Sequence, residues 1–411
     1  MAATGELPVR GRRGFSPFQQ NSGIAVKITR AAASISGTAA PKLTHFLPVT
    51  APPLTEINAA AVLHMHAYMP NLEDVIMALV VGTSGDDTLI GTPEDDVLRG
   101  FDGNDILEGL DGWDEYHGGA GNDLITVAIE PVTAKGIEIY DGGNGYDTVA
   151  CEVLSLKYFG DLTRAVFTGI EQLDFTGFVG LNIGQVASFQ SISAAVAYFT
   201  DGGLLDMTGK TYAIASLGLG NVAGNRLVLT GQTALPEYAV TCGDFDDVVL
   251  GPDSASLLLG LKGNDVLRGG MAGDEISGGL GEDRIDGGGG GDVIEGGGGK
   301  DRLIGGNGAD AFTYGLLTES RPGTLRSDVI TDFESGTDLI DLAVLGQKGT
   351  VLFVQDVLGD PFSGVAGEIR ISYNISGTRT VVALDADGDA AADFAICLNG
   401  IHALSSTDFI L

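Results

Sequence analysis

The sequence predicts an all-β protein: a parallel β-roll (a β-solenoid) in two repeat blocks, with an irregular β-rich middle segment and a β-type C-terminal domain. Three observations predict it. A nine-residue period begins at Gly82 and returns near Cys242. Glycine is greatly over-used, at 64 of 411 residues. An aspartate and, two residues later, an apolar side chain keep the same phase through nearly every unit.

The first block reads GTSGDDTLI, GTPEDDVLR, GFDGNDILE, GLDGWDEYH and GGAGNDLIT, with a related GGNGYDTVA from Gly142. The second runs through a degenerate GPDSASLLL to GLKGNDVLR, GGMAGDEIS, GGLGEDRID, GGGGGDVIE, GGGGKDRLI and GGNGADAFT. Internal repeats of this kind signal a solenoid. Within a unit, GGxGxD cannot be strand interior, because glycine there costs entropy and packs nothing. It suits a turn. The remaining three residues form a minimal strand with one side chain pointing inward. Two units then complete a coil of about 18 residues, and stacking such coils buries the apolar positions between two parallel sheets.

Expected organisation follows the period: a partly helical, mostly flexible lead-in over 1–81, a first block over 82–150, an irregular segment over 151–241, a second block over 242–314 and a C-terminal domain over 315–411. In the lead-in, Ala59 to Leu63 favour a helix that Pro70 ends, and Asn71 can cap a second one. The middle segment reads as irregular solenoid or sandwich, with short strands punctuated by glycine.

Acids outnumber bases 55 to 22, for a formal net charge of −33. Nucleic acid and anionic membrane are poor partners for such a surface, whereas cations are good ones. Calcium takes six to eight hard oxygens from carboxylates and carbonyls, and a GGxGxD turn supplies both. The expected ligands are Asp87, Asp96, Asp105, Asp114, Asp123, Asp247, Asp265, Asp274, Asp283, Asp292, Asp301 and Asp310, with carbonyls of the flanking glycine-rich turns. Turns on one edge recur every second unit, so Asp87 pairs with Asp105 and Asp265 with Asp283, giving about eight Ca²⁺ sites. Ser256 replaces aspartate and should delete one of them, and Asp147 stands out of phase. A weaker candidate is Asp385, Asp387, Asp389 and Asp393, spaced like an EF-hand loop but with glycine misplaced and Ile396 where a bidentate glutamate belongs. An acidic β-turn explains that stretch equally simply.

These units resemble the repeats-in-toxin (RTX) calcium-binding nonapeptides of hemolysin-type proteins. Ala309-Asp-Ala-Phe-Thr-Tyr314 and Ser327-Asp-Val-Ile-Thr-Asp-Phe-Glu-Ser-Gly-Thr-Asp-Leu-Ile-Asp-Leu342 are similar to the C-terminal domain of serralysin-type (peptidase M10) metalloproteases, and Asp408-Phe-Ile-Leu411 to their acidic-then-apolar terminus. The resemblance implies calcium binding and one-step export by a type I secretion apparatus that reads the C-terminus, from a Gram-negative-type cell to the medium or cell surface.

The protease half does not carry over. HExxH is absent, and His45, His64, His66, His117 and His402 form no zinc motif. The 81 residues ahead of the repeats are also too few for such a catalytic domain. No GxSxG elbow occurs, and Cys151, Cys242 and Cys397 match no zinc spacing or disulfide framework. No apolar run reaches the ~20 residues a membrane span needs. The expected function is therefore a secreted calcium-binding protein, non-enzymatic and structural or adhesive. The alternative is an exported hydrolase, or a remnant or regulatory partner of a serralysin-like protease, with its active site outside the repeats.

Overall fold

The computed structural model describes residues 25–30, 76–127, 137–151, 159–175, 177–220, 223–230, 238–323, 325–345, 353–355, 361–374 and 376–411. The expected lead-in helices, with His45, His64 and His66, lie outside them.

One wall of the roll is a single sixteen-stranded sheet that starts at Thr88–Ile90 and ends at Phe409–Ile410. All its pairings are parallel, as for Ile276 with Ile294 and Leu107 with Ile125. It runs unbroken through the middle segment by way of Gln172–Phe175, Ser191–Phe199 and Thr211–Gly218, so the aperiodic residues continue the roll.

The opposite wall is built in two pieces. A six-stranded sheet covers the first block and closes at Val166–Thr168, and an eleven-stranded sheet opens at Leu204–Asp206. The helix Ile183–Ser188 packs against both of those end strands and fills the break. Asn182 caps it, and Gln185 completes a capping box while its amide donates to the carbonyls of Leu162 and Ala165 at 2.7 and 2.6 Å. Local chemistry therefore fixes a helix where the wall changes partner.

Two strands depart from the expected lead-in. Ile76–Val81 already belongs to the first sheet, and Ala25–Arg30 pairs with it antiparallel, covering the edge that the first parallel strand would expose. At the other end, Glu368–Tyr373, Arg379–Asp385 and Phe394–Asn399 form an antiparallel meander joined to the roll through Val329–Ile330.

The core is a file of single side chains. Leu89, Leu98, Leu107, Ile125, Leu267, Ile285, Ile294, Leu303 and Phe312 are fully buried, each two residues after a repeat aspartate. In the first block Tyr116 and Tyr140 occupy the inward position of neighbouring coils and stack at 5.2 Å, and Phe167 follows at 5.0 Å. Cys151 and Cys242 are buried. Among the described residues no helix is long and apolar enough to cross a membrane.

Candidate metal sites

All twelve repeat aspartates are buried, at 3 % exposure or less. Their carboxylates form two ladders along the turn edges. On the edge of the first block that leads into the continuous sheet, the amide of Asp87 donates to Asp105 Oδ1, Asp105 to Asp123 Oδ1 and Asp123 to Asp147 Oδ1, at 2.7 to 2.8 Å. In the second block Asp247, Asp265, Asp283 and Asp301 are linked the same way at 2.7 to 2.8 Å, and Asp274, Asp292 and Asp310 at 2.7 to 2.9 Å. Each rung thus uses one carboxylate oxygen to bind the amide of the preceding coil.

The second oxygen separates the rungs into two kinds. Oδ2 of Asp105, Asp123, Asp265, Asp283, Asp292, Asp301 and Asp310 is buried with no hydrogen-bond partner, as is Oδ1 of Asp87. Burying an unpaired carboxylate oxygen is costly unless a cation compensates it. Other rungs are satisfied by protein donors. Thr92 donates to both oxygens of Asp96, the Tyr116 hydroxyl to Asp114 Oδ2 at 3.2 Å, Gly270 to Asp274 Oδ2 at 2.8 Å, and Gly243 to Asp247 Oδ2 at 3.0 Å. Ser256 donates through both its amide and its hydroxyl to Asp274 Oδ1, at 2.7 and 2.8 Å, so that defective unit closes by hydrogen bonds.

Glycine makes room for the remaining oxygens. A Cβ at Gly118 would strike Asp123 Oδ2 and lie 2.7 Å from the Gly142 carbonyl. One at Gly278 would lie 2.5 Å from Asp283 Oδ2 and 2.6 Å from the Gly296 carbonyl. Carboxylate and carbonyl oxygens therefore line the same recess, an all-oxygen donor set that fits a hard cation such as Ca²⁺. Burial pushes the carboxyls of Asp265, Asp292 and Asp301 up to about 7 and those of Asp123 and Asp283 to about 6, with neighbouring carboxylates adding to the effect.

Four acids join the ladders that periodicity does not reveal. Asp147 takes the Asp123 amide across 24 residues, and Glu171 takes the Asp147 amide at 2.9 Å. Asp328 takes the Asp301 amide across 27 residues, and Asp338 that of Asp310 across 28. Oδ2 of both Asp147 and Asp328 is buried and unpartnered, and burial beside Asp301 raises the Asp328 carboxyl to about 8. Asp147 carries the GGNGYD signature of a repeat unit out of phase with the block, whereas Asp328 and Asp338 are marked in sequence only by an apolar residue two places on.

In the weaker candidate, carboxylate oxygens of Asp385, Asp387 and Asp393 lie within 4.8 Å of one another, and Asp389 stands outside the group. Asp385 accepts the amides of Gly388 and Ala390 at 2.7 and 2.9 Å, and Asp393 that of Ala386 at 2.8 Å. These bonds knit the acidic turn together.

Comparison with known proteins agrees with the ladder chemistry. Residues 248–411 match the family Peptidase M10 serralysin C terminal, and residues 81–112 and 102–125 match the RTX calcium-binding nonapeptide repeat. The chain is 42 % identical over 93 residues to mannuronan C5-epimerase AlgE2 of Azotobacter vinelandii, covering 21 % of this chain and 8 % of that protein. It is 36 % identical over 94 residues to metallopeptidase AprA of Pseudomonas marginalis, covering 23 % of this chain and 18 % of that protein. The chain thus matches less than a fifth of the length of either relative. Among solved structures, the AlgE6R2 subunit of the Azotobacter vinelandii mannuronan C5-epimerase aligns with a TM-score of 0.30 at 36 % identity, over 36 % of this chain and 88 % of that one. The chain carries RTX calcium-binding repeats and a serralysin-type C-terminal domain.

Proposed function

We propose that this is an exported calcium-binding protein whose roll folds on Ca²⁺ after type I secretion from a Gram-negative-type cell, and which then serves as a non-enzymatic structural or adhesive element outside the cell. One observation carries the reading: a row of buried carboxylate oxygens without partners, several of which, at Asp105, Asp123, Asp265, Asp283 and Asp292, share a recess with a glycine carbonyl of the next coil. The residues that would hold ions are Asp87, Asp105, Asp123 and Asp147 in the first block, and Asp265, Asp283, Asp292, Asp301, Asp310 and Asp328 in the second. Bound calcium would supply the positive charge that lets these carboxylates stay ionised while buried. Asp96, Asp114 and Asp274 need an ion least, since protein donors already satisfy them.

The C-terminus supports export before folding. Phe409–Ile410 is the last strand of the continuous sheet, and the buried Asp408 accepts from Ser335 Oγ at 2.9 Å and the Gly336 amide at 2.7 Å. Ile410 and Leu411 stay exposed, but Asp408 and Phe409 are buried and become accessible only when the end of the roll is open. The low calcium of a cytosol keeps it open, because extracellular modules bind with dissociation constants of ~10⁻⁴–10⁻³ M. The alternatives, an exported hydrolase or a partner of a serralysin-like protease, need an active site outside the repeats.

Native mass spectrometry of the full chain, with magnesium as control, tests the reading. Several calcium ions per chain and no comparable uptake of magnesium are expected. A chain that takes up none contradicts it.

A further inference from the structure

His117 stands on the outer face of the six-stranded sheet, in a strand rather than in a calcium-type turn. The inward side chain of the strand Glu115–Ala120 is Tyr116, so Glu115 and His117 project outward on either side of it. Asp141, on the neighbouring strand Ile139–Asn144, is the in-register partner of His117. Three groups able to hold a metal therefore meet on one face. His117 Nε2 lies 2.5 Å from Glu115 Oε1, and Nδ1 lies 3.3 Å from Asp141 Oδ2. A neutral imidazole has one N–H and can donate to only one of these carboxylates. The other nitrogen then aims a lone pair at a carboxylate oxygen, a contact that is favourable only with a cation between them. His117 and Asp141 are 24 residues apart where the repeat supplies 18, so the trio sits on the coil that carries the insertion.

From this geometry we infer a single transition-metal site of the Zn²⁺ class on the outer face of the first block, with His117 Nε2 and Glu115 as ligands and Asp141 as the positioning residue. Asp141 accepts the Nδ1 proton and fixes the tautomer that turns Nε2 toward the ion, the part a carboxylate commonly plays behind a zinc-bound histidine. Tetrahedral zinc with bonds of ~2.0–2.2 Å holds its ligand atoms about 3.3 Å apart, so Glu115 has to move outward by roughly 0.8 Å. Its side chain is 39 % exposed, which leaves it room to do so. Calcium is a poor competitor here, because it takes hard oxygens whereas an imidazole nitrogen suits Zn²⁺, Cu²⁺ or Ni²⁺. Arg99, the in-register neighbour on the other side of His117, is exposed, and solvent screens its charge. Two protein ligands leave two tetrahedral positions to water, so the ion exchanges with the medium. Bound there, it braces the lengthened coil across its two strands.

The test is calorimetric titration of the full chain with zinc chloride in saturating calcium; far-UV circular dichroism checks that each variant keeps the parent spectrum. One zinc ion per chain is expected at this site, its binding weakened about tenfold or more by His117→Ala. If that variant fails to fold, Glu115→Gln decides, and it should weaken zinc binding to a similar degree. Asp141→Ala should cost about tenfold, whereas Asp141→Asn, which keeps an acceptor for the Nδ1 proton, should recover most of that loss. His402→Gln is the control and should change nothing, since His402 Nε2 faces only the Asn399 carbonyl, at 2.7 Å. No zinc uptake, uptake that survives both His117→Ala and Glu115→Gln, or an ion displaced by calcium overturns the inference. Equal loss in Asp141→Ala and Asp141→Asn overturns the positioning role.

Discussion

The amide of Asp123 donates to Asp147 Oδ1 at 2.7 Å, although the two are 24 residues apart where the repeat supplies 18. The extra residues leave the turn edge unchanged, because Tyr116 and Tyr140 keep the inward register across the same coil. Ladder membership is therefore set by strand register rather than by residue count.

Asp147→Ala should behave as a repeat substitution. It removes a buried carboxylate from a rung and leaves the Asp123 amide unpaired, so the calcium-loaded protein should lose ~1–3 kcal/mol. Calcium stoichiometry should fall as well. Asp114→Asn should leave stoichiometry unchanged, since Tyr116 already satisfies Asp114. Denaturant unfolding and native mass spectrometry on both variants check the contrast.

Acidity and calcium should substitute for each other. Burial places the folded-state carboxyls of Asp265, Asp292 and Asp301 near 7 and of Asp328 near 8, against an ordinary 3.8. A carboxyl raised on folding stabilises the fold fully below its unfolded value, and that stability is lost as pH rises through the folded value. Metal-free protein should thus be most ordered near pH 4 and lose order between about pH 6 and 8. Calcium affinity should run the opposite way, weakening as protons compete below about pH 6. Circular dichroism against pH, with and without chelator, measures both arms.

Gly118→Ala should destabilise the first block. The added methyl would meet Asp123 Oδ2 and the Gly142 carbonyl. Overpacking of this kind costs ~1–3 kcal/mol. Gly85→Ala, where nothing lies within 4 Å, is the control and should be near neutral. Thermal melts in calcium compare the two.

Ile294→Ala should cost about 2–5 kcal/mol, the usual range for a buried aliphatic. Its coil buries few other side chains, and Ile294 itself is fully buried between Ile276 and Phe312. Chemical denaturation in saturating calcium reads the loss.

Much of this architecture is legible from phase alone. The twelve aspartates fall at nine-residue steps within each block, save the eighteen from Asp247 to Asp265 across Ser256, because each unit is one turn and one strand, and the apolar residue two places on is the strand's inward position. Asp147, Asp328 and Asp338 escape a count by period because they stand 24, 27 and 28 residues from Asp123, Asp301 and Asp310 where the repeat supplies 18. The helix Ile183–Ser188 is hidden too: six residues hold too few turns to show a 3.6-residue pattern, and its identity rests on Asn182 and Gln185. The continuity of the sixteen-stranded sheet through the aperiodic segment was open for the same reason. Its inward residues, such as Leu173 beside Ile192 and Ala194 beside Ile214, keep register in space without keeping spacing in sequence.

Far-UV circular dichroism of metal-stripped full chain under a calcium titration, with magnesium as control, tests the central claim most directly. The account predicts a cooperative gain of β-structure between ~0.1 and 10 mM calcium, the range of extracellular modules, and none with magnesium. A spectrum that does not change with calcium would contradict it.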